Sequence, residues 1–416
     1  MHDEILFINI AKLINVREQN KLVRGTDLAK LPTLEDAFLL IKDGIITDFG
    51  AMFELEIKVP QFPKNVIDVS GQFILPCWCD SHTHLVFAGS REDEFVDKLK
   101  GLTYAEIAAK GGGILNSAQK LNQTSEEELF DAAMVRLKEI AQLGTGSVEI
   151  KSGYGLSVEG EIKMLRVIKR LRENSDLLIK STFLAAHTYP AEYKENHKGY
   201  IDCIINEMLP IIALENLADF IDVFCETGFF SPEEMEEICI AGAAVGLQPK
   251  LHVNQLNSIG GIEMGIKNNA FSLDHLETLS EFEISLLGDF KGCSTLLPTA
   301  AFFLRMPLQP ARKLINAGAA VTLASDYNPG SSPSGNMNFV TALSCIQMKM
   351  LPEEAINAAT INGAYAMDLS DEVGSITIGK KANLIFTKNI PSLAYLPYSF
   401  GTNLIDKVMI NGNWVE

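Results

Sequence analysis

The sequence predicts an α/β protein built on a (β/α)8 TIM barrel, with a small β-sandwich-like domain assembled from both ends of the chain. Two patterns carry this expectation. Between residues 73 and 326, eight apolar β-rich runs alternate with amphipathic helical stretches, the texture of βα units around a parallel sheet. The segments before and after are different, with short alternating runs broken by Gly, Asp and Pro. Length agrees, because 416 residues with 47% hydrophobic side chains suffice for one large core and a smaller second one. The expected boundaries are 1–76 and 373–416 for the two parts of the small domain, and 77–372 for the barrel.

Taken in order, EILFINI, FLLIKDGIITDFG and NVIDVSGQFILP read as antiparallel strands. In the tail, VGSITIGKKANLIFTK and KVMINGNWVE supply three more strand-like runs, so the termini are expected to pair. The eight barrel runs are FILPCWCD (73–80), SVEIKSG (147–153), IKSTFLAAH (179–187), FIDVFCE (220–226), PKLHVNQ (249–255), FSLDHLE (271–277), CSTLLP (293–298) and AVTLASD (320–326). Helical patterns such as TSEEELFDAAMVRLKEIAQLG (124–144) and SPEEMEEICIAGAAVG (231–246) lie between them, the second opening on Ser-Pro-Glu-Glu, a helix start with Pro at its first turn.

Composition narrows the function. A formal charge of −18, from 53 acidic against 35 basic residues, argues against nucleic acid as a partner, which needs clustered Lys and Arg. No stretch approaches the ~18 apolar residues of a membrane span, and the N-terminus lacks a basic start followed by an apolar core. The expectation is a cytoplasmic protein acting on a small molecule, with no membrane partner. Seven scattered cysteines form no disulfide framework, and Cys77-Trp-Cys79 lacks zinc-knuckle spacing, so these read as reduced core thiols.

In such a barrel the chemistry projects from the C-terminal ends of the strands. Here the first run leads into Asp80-Ser-His82-Thr-His84, the third ends in His187, the fifth contains His252, the sixth Asp274-His275, and the eighth ends in Asp326. Five of the seven histidines therefore sit at strand ends. One alone would read as a core residue, but five together read as a site. Residues i and i+2 on a strand face the same way, so His82 and His84 can grip one cation, and His252 with Asp326 completes a set of three imidazoles and a carboxylate. That set suits Zn or Fe. An open position would hold water, whose pKa a bound cation lowers to about 7, as in metal-dependent hydrolases. The fourth run ends in Cys225-Glu226 and offers no lysine that could be carbamylated to bridge two metals, so one divalent ion per subunit is expected.

The ordered set DSHTH, EIKSGYGL, a third run ending AAH, KLHVNQ, LDHLE, LLPTAAFFLR and SDYNPGSSP resembles the imidazolonepropionases, over almost the full chain. The HxH pair with later His, His and Asp is shared by their wider group, the amidohydrolases. The narrower likeness rests on EIKSGYGL, LLPTAAFFLR and DYNPGSS. The resemblance implies hydrolysis of 4-imidazolone-5-propanoate to N-formimidoyl-L-glutamate in histidine degradation, by a homodimer. It implies that Arg91 binds the propionate carboxylate, for which a planar guanidinium is suited. It likewise implies that Tyr154, Asn328, Gly330 and Ser331 hold substrate, that His187 binds the ring, that His275 stabilises or shuttles charge, and that Asp326 takes the proton of the attacking water. One position departs. Many family members carry a glutamate three residues after the strand-five histidine, where this chain has Gln255, which can hydrogen-bond to the ring but cannot exchange protons. The competing readings are another mononuclear amidohydrolase, such as a heterocycle deaminase, and a catalytically silent assembly protein. The retained ligands speak against the second.

Overall fold

The computed structural model describes residues 4–102, 106 and 112–416. Among these, strands from both ends form one mixed sheet. Its N-terminal members are β1 (Glu4–Ile14), β2 (Thr33–Lys42), β3 (Ile45–Ala51), β4 (Asn65–Asp68) and β5 (Phe73–Pro76). The barrel strands are β6 (Trp78–Thr83), β7 (Thr145–Lys151), β8 (Leu178–Ala186), β9 (Phe220–Cys225), β10 (Gln248–Val253), β11 (Ser272–His275), β12 (Cys293–Leu296) and β13 (Val321–Leu323). The chain then returns to the mixed sheet as β14 (Leu384–Thr387), β15 (Ile405–Ile410) and β16 (Asn413–Trp414).

The two ends meet where β14 runs antiparallel to β5, with Leu384 opposite Pro76. The sheet follows the order β16-β15-β14-β5-β1-β2-β3, with β4 also on β1. The N-terminal strands are not all antiparallel as their sequence suggests, because β1 pairs in parallel with both β4 and β5. The connection through β2 and β3 brings the chain back to the other side of β1 in the original direction.

The barrel strands pair in chain order, every neighbour parallel. The ring closes just beyond β13, where Tyr327 bridges to Thr83. At that seam the Asp326 N–H donates to His82 O at 3.0 Å and the His84 N–H to Tyr327 O at 2.9 Å. The buried Asp80 carboxylate also accepts the Ser325 N–H at 2.9 Å and its hydroxyl at 2.5 Å.

The run expected as a single strand over 73–80 is two strands in different sheets. Pro76 has no N–H to extend a ladder. After it, the Cys77 N–H donates to Asn383 O and the Trp78 N–H to Gly144 O, both at 2.9 Å, so the chain changes sheets within two residues. The capped helices follow their sequence signals. Ser125 and Ser231 each cap a helix, Glu126–Gln142 and Pro232–Ala244, with Glu128 and Glu234 returning the capping-box bond. No described helix is long and apolar enough to cross a membrane.

Alternation along the strands decides what fills the barrel. Val148, Ile150, Leu251, Val253 and Leu273 pack into the large hydrophobic core. The intervening Glu149, Lys151, Lys250, His252, Ser272 and Asp274 are buried polar side chains, mutually bonded inside the barrel.

Candidate metal centre and substrate cleft

His82 on β6, His84 just beyond it and His252 on β10 bring one ring nitrogen each to within 4.8 Å of one another, all three buried. Asp326 joins them across the seam, with Oδ1 3.7 Å from His82 Nε2 and 3.6 Å from His84 Nε2. The ring orientations are fixed from behind. His82 Nδ1 lies 2.6 Å from Asp274 Oδ2, and His252 Nδ1 lies 2.8 Å from Asp222 Oδ2. A proton shared with a carboxylate at Nδ1 leaves Nε2 as the lone-pair atom, the arrangement seen behind metal-ligating imidazoles. His82 Nε2 is buried with no hydrogen-bond partner among the described residues, a cost that a cation would remove. Burial also holds the imidazoles of His82, His84 and His252 well below the ordinary histidine range, so they are neutral donors. These residues fit a metal ion.

Above this group lies a cleft lined by His84, Tyr154, His187, Phe224, His252, Gln255, His275, Asp326, Asn328 and Ser331. Every one of these except Phe224 is a site residue expected from the sequence. His187 stacks on His84 with centroids 5.1 Å apart, and its Nδ1 lies 3.0 Å from Gly153 O. Burial lowers its pKa to about 4. For His275, burial pulls the imidazole down, but the carboxylates of Glu277, 3.2 Å from Nδ1, Asp326 and Asp274 together outweigh it and hold the ring above its ordinary value. Burial pushes the Asp326 carboxyl up to about 6, against the pull of His275. Both site residues have left-handed backbones, φ 86° at His275 and 53° at Asp326. Such strain in non-glycine residues persists where surrounding contacts enforce it.

Asn328 is occupied in shaping its own loop. Its Oδ1 accepts the N–H groups of Gly330 and Ser331, both at 2.8 Å, and its Nδ2 donates to Asp326 O and Ser331 Oγ. Ser331 in turn reaches Asp326 Oδ2 at 3.2 Å. Arg91 and Gly330 stand to one side of the cleft. Arg91 lines an adjoining pocket with Tyr154, and its Nη2 lies 2.5 Å from Glu94 Oε2. The loop carrying Tyr154 wraps the buried Glu161 carboxylate, which accepts N–H bonds from Gly153, Gly155 and Leu156 at 3.0, 2.7 and 2.9 Å.

The sequence reading gave no role to Asp222, Asp274, Glu277, Glu161 or Lys151. The signal available for most of them was a charged residue inside an apolar strand run, as in FIDVF, VEIK and SLDH. A charge there must face the barrel interior and be paired. For Lys151, burial lowers the ammonium pKa, but Asp222, Glu149 and Asp274 together outweigh it and hold it above the ordinary lysine range.

The chain belongs to the amidohydrolase family, whose family model matches residues 73–415. Within that family it belongs with the imidazolonepropionases. It is 59% identical over 409 residues to the imidazolonepropionase of Flavobacterium johnsoniae, covering 98% of both chains. Identity to that of Christiangramia forsetii is 54% over 413 residues, 99% of this chain and 100% of the relative. With that of Clostridium tetani it is 41% over 391 residues, 94% and 93% of the two chains. Among solved structures, E. coli guanine deaminase superposes with a TM-score of 0.75 at 16% identity, over 100% of this chain and 99% of the other. Guanine deaminase from C. acetobutylicum gives 0.72 at 18%, over 100% of both. These two likenesses show the fold alone.

Proposed function

We propose that the chain hydrolyses the ring amide of 4-imidazolone-5-propanoate, giving N-formimidoyl-L-glutamate, with His82, His84, His252 and Asp326 holding one divalent cation, Zn2+ or Fe2+. The observation that carries the centre is the buried, unpartnered His82 Nε2 gathered with two further imidazole nitrogens beside Asp326. Held by these residues, such an ion would supply Lewis-acid chemistry, making water ionise near neutral pH, at about pH 7.

The protein's own groups supply the rest. Asp326, whose Oδ1 stands 3.6 Å from His84 Nε2, accepts the proton of the attacking water. Ser331, 3.2 Å from Oδ2, holds that carboxylate in place. His275, whose Nδ1 lies 3.2 Å from Glu277 Oε1, stabilises the negative charge that develops on the carbonyl oxygen. As the C–N bond breaks, the departing nitrogen receives the proton that Asp326 took. His187 and Tyr154 embrace the ring, Gln255 hydrogen-bonds to a ring nitrogen, and Arg91 takes the propionate carboxylate at the cleft's edge. Gly330 gives the guanidinium room, while Asn328 folds the loop that presents Ser331. The likeness to imidazolonepropionases supports reading the chain as a cytoplasmic homodimer.

The test is incubation of the zinc-loaded and iron-loaded protein with 4-imidazolone-5-propanoate, following ring absorbance and N-formimidoyl-L-glutamate. Stoichiometric ring opening without ammonia is expected. Ammonia release from amino-substituted heterocycles, with no turnover of the imidazolone, would replace this reading with a deaminase.

A further inference from the structure

Below the imidazoles lies a layer of buried charge that touches neither substrate nor cation. Lys151, fully buried on β7, has its Nζ 2.7 Å from Glu149 Oε1, 2.9 Å from Asp222 Oδ2 and 3.8 Å from Asp274 Oδ2. The two aspartate oxygens are the same atoms that face His252 Nδ1 and His82 Nδ1. One ammonium group therefore stands behind two of the three imidazoles, which come from strands far apart in sequence. Glu149 has a second cation of its own, since Lys250 Nζ lies 3.2 Å from its Oε2. Lys250 is itself committed to Ser272 Oγ and Ala366 O. Charge balance for Glu149 thus does not by itself account for Lys151.

We propose that Lys151 is a positioning residue of the metal centre, its ammonium group fixing Asp222 and Asp274 and, through them, the ring orientations of His252 and His82. A point charge is suited to this task. It attracts acceptors from β7, β9 and β11 at once without the planar constraint of a guanidinium. Removing it leaves two buried carboxylates directed at the axis with no cation between them, and they separate or turn. The imidazoles then lose the acceptors that aim their Nε2 atoms. Replacing such supporting groups weakens metal sites by roughly 10- to 100-fold.

The inference rests on the metal-centre reading above, and the experiment separates the two. Zn2+ affinity of the metal-free full chain is measured by competition with a chromophoric chelator, and the visible spectrum is recorded after Co2+ loading. Three proteins are compared: the natural chain, Lys151→Met, and Lys151→Met/Glu149→Gln. The last removes one buried charge of each sign, so it keeps the charge balance on which folding depends. Both variants are expected to bind Zn2+ about tenfold or more weaker than the natural chain, with an altered Co2+ spectrum. Natural affinity and spectrum in the double variant would overturn the role of Lys151 while leaving the metal centre intact. A natural chain that binds no Zn2+ would instead overturn the metal-centre reading itself.

Discussion

Gly330 and Arg91 are packed so closely that a Cβ built on the glycine would stand 2.5 Å from Arg91 Nη1. The guanidinium proposed to receive the substrate carboxylate is therefore held against the loop that follows Asp326. Gly330→Ala should push that guanidinium aside. The expected outcome is a KM raised about tenfold with kcat within about twofold, because a charged hydrogen bond made in both ground and transition states contributes about 1.5–3 kcal/mol. Arg91→Met should raise KM further. Steady-state kinetics at fixed metal content checks both, and an unchanged KM in both variants would remove the carboxylate contact.

Glu277 Oε1 lies 3.2 Å from His275 Nδ1 and also accepts from Gln309 Nε2 at 2.9 Å. Glu277→Gln removes the nearest of the carboxylates that raise the imidazole's pKa. At neutral pH, kcat should fall by about 10- to 100-fold, with Zn2+ content unchanged because neither residue is a ligand. Raising activity again at lower pH would mark the loss as one of protonation rather than of geometry.

Gln255 lines the cleft where many imidazolonepropionases carry a glutamate. If Asp326, His275 and water handle every proton, Gln255→Glu should add a new ionisation to the pH–rate profile without adding a new activity. An unshifted profile would show that position 255 does not reach the ring.

Lys380 offers a test of stability away from the site. It is buried in the loop before β14, where its Nζ donates to Val373 O and Ser375 Oγ, both at 2.8 Å, and burial lowers its pKa to about 8. The folded chain releases this proton near pH 8, while the unfolded chain keeps it to about pH 10.4. Between those limits the unfolded state binds more protons, so stability rises with pH. Relative to Lys380→Met, the natural chain should gain on the order of 2 kcal/mol from pH 8 to 10.5. Denaturant midpoints at a series of pH values measure the difference, and a flat difference would refute it.

The barrel and most of the cleft were legible in the sequence because they depend on one-dimensional spacing. HxH places two imidazoles on one face, and polar residues that end apolar runs must emerge at one rim. What stayed hidden depends on register and on which face of a strand turns inward. Asp222 follows Ile221 and precedes Val223, and nothing local says that it faces His252 on the next strand. The sheet change at Cys77 was equally obscure, since apolar residues continue through it. The layer around Lys151 is readable only after β7, β9 and β11 are set side by side.

The barrel's seam carries a consequence for how the enzyme comes into being. Two imidazoles arrive with the first of its eight strands and the aspartate only after the last, and they become neighbours through the seam's Thr83–Tyr327 bridge, Asp80–Ser325 clasp and Asp326–His82 backbone bond. A chain whose ring has not closed thus holds every proposed ligand without bringing them together. On the proposed ligand set, ring closure is what assembles the centre, so opening the barrel at that joint would separate the aspartate from the imidazoles.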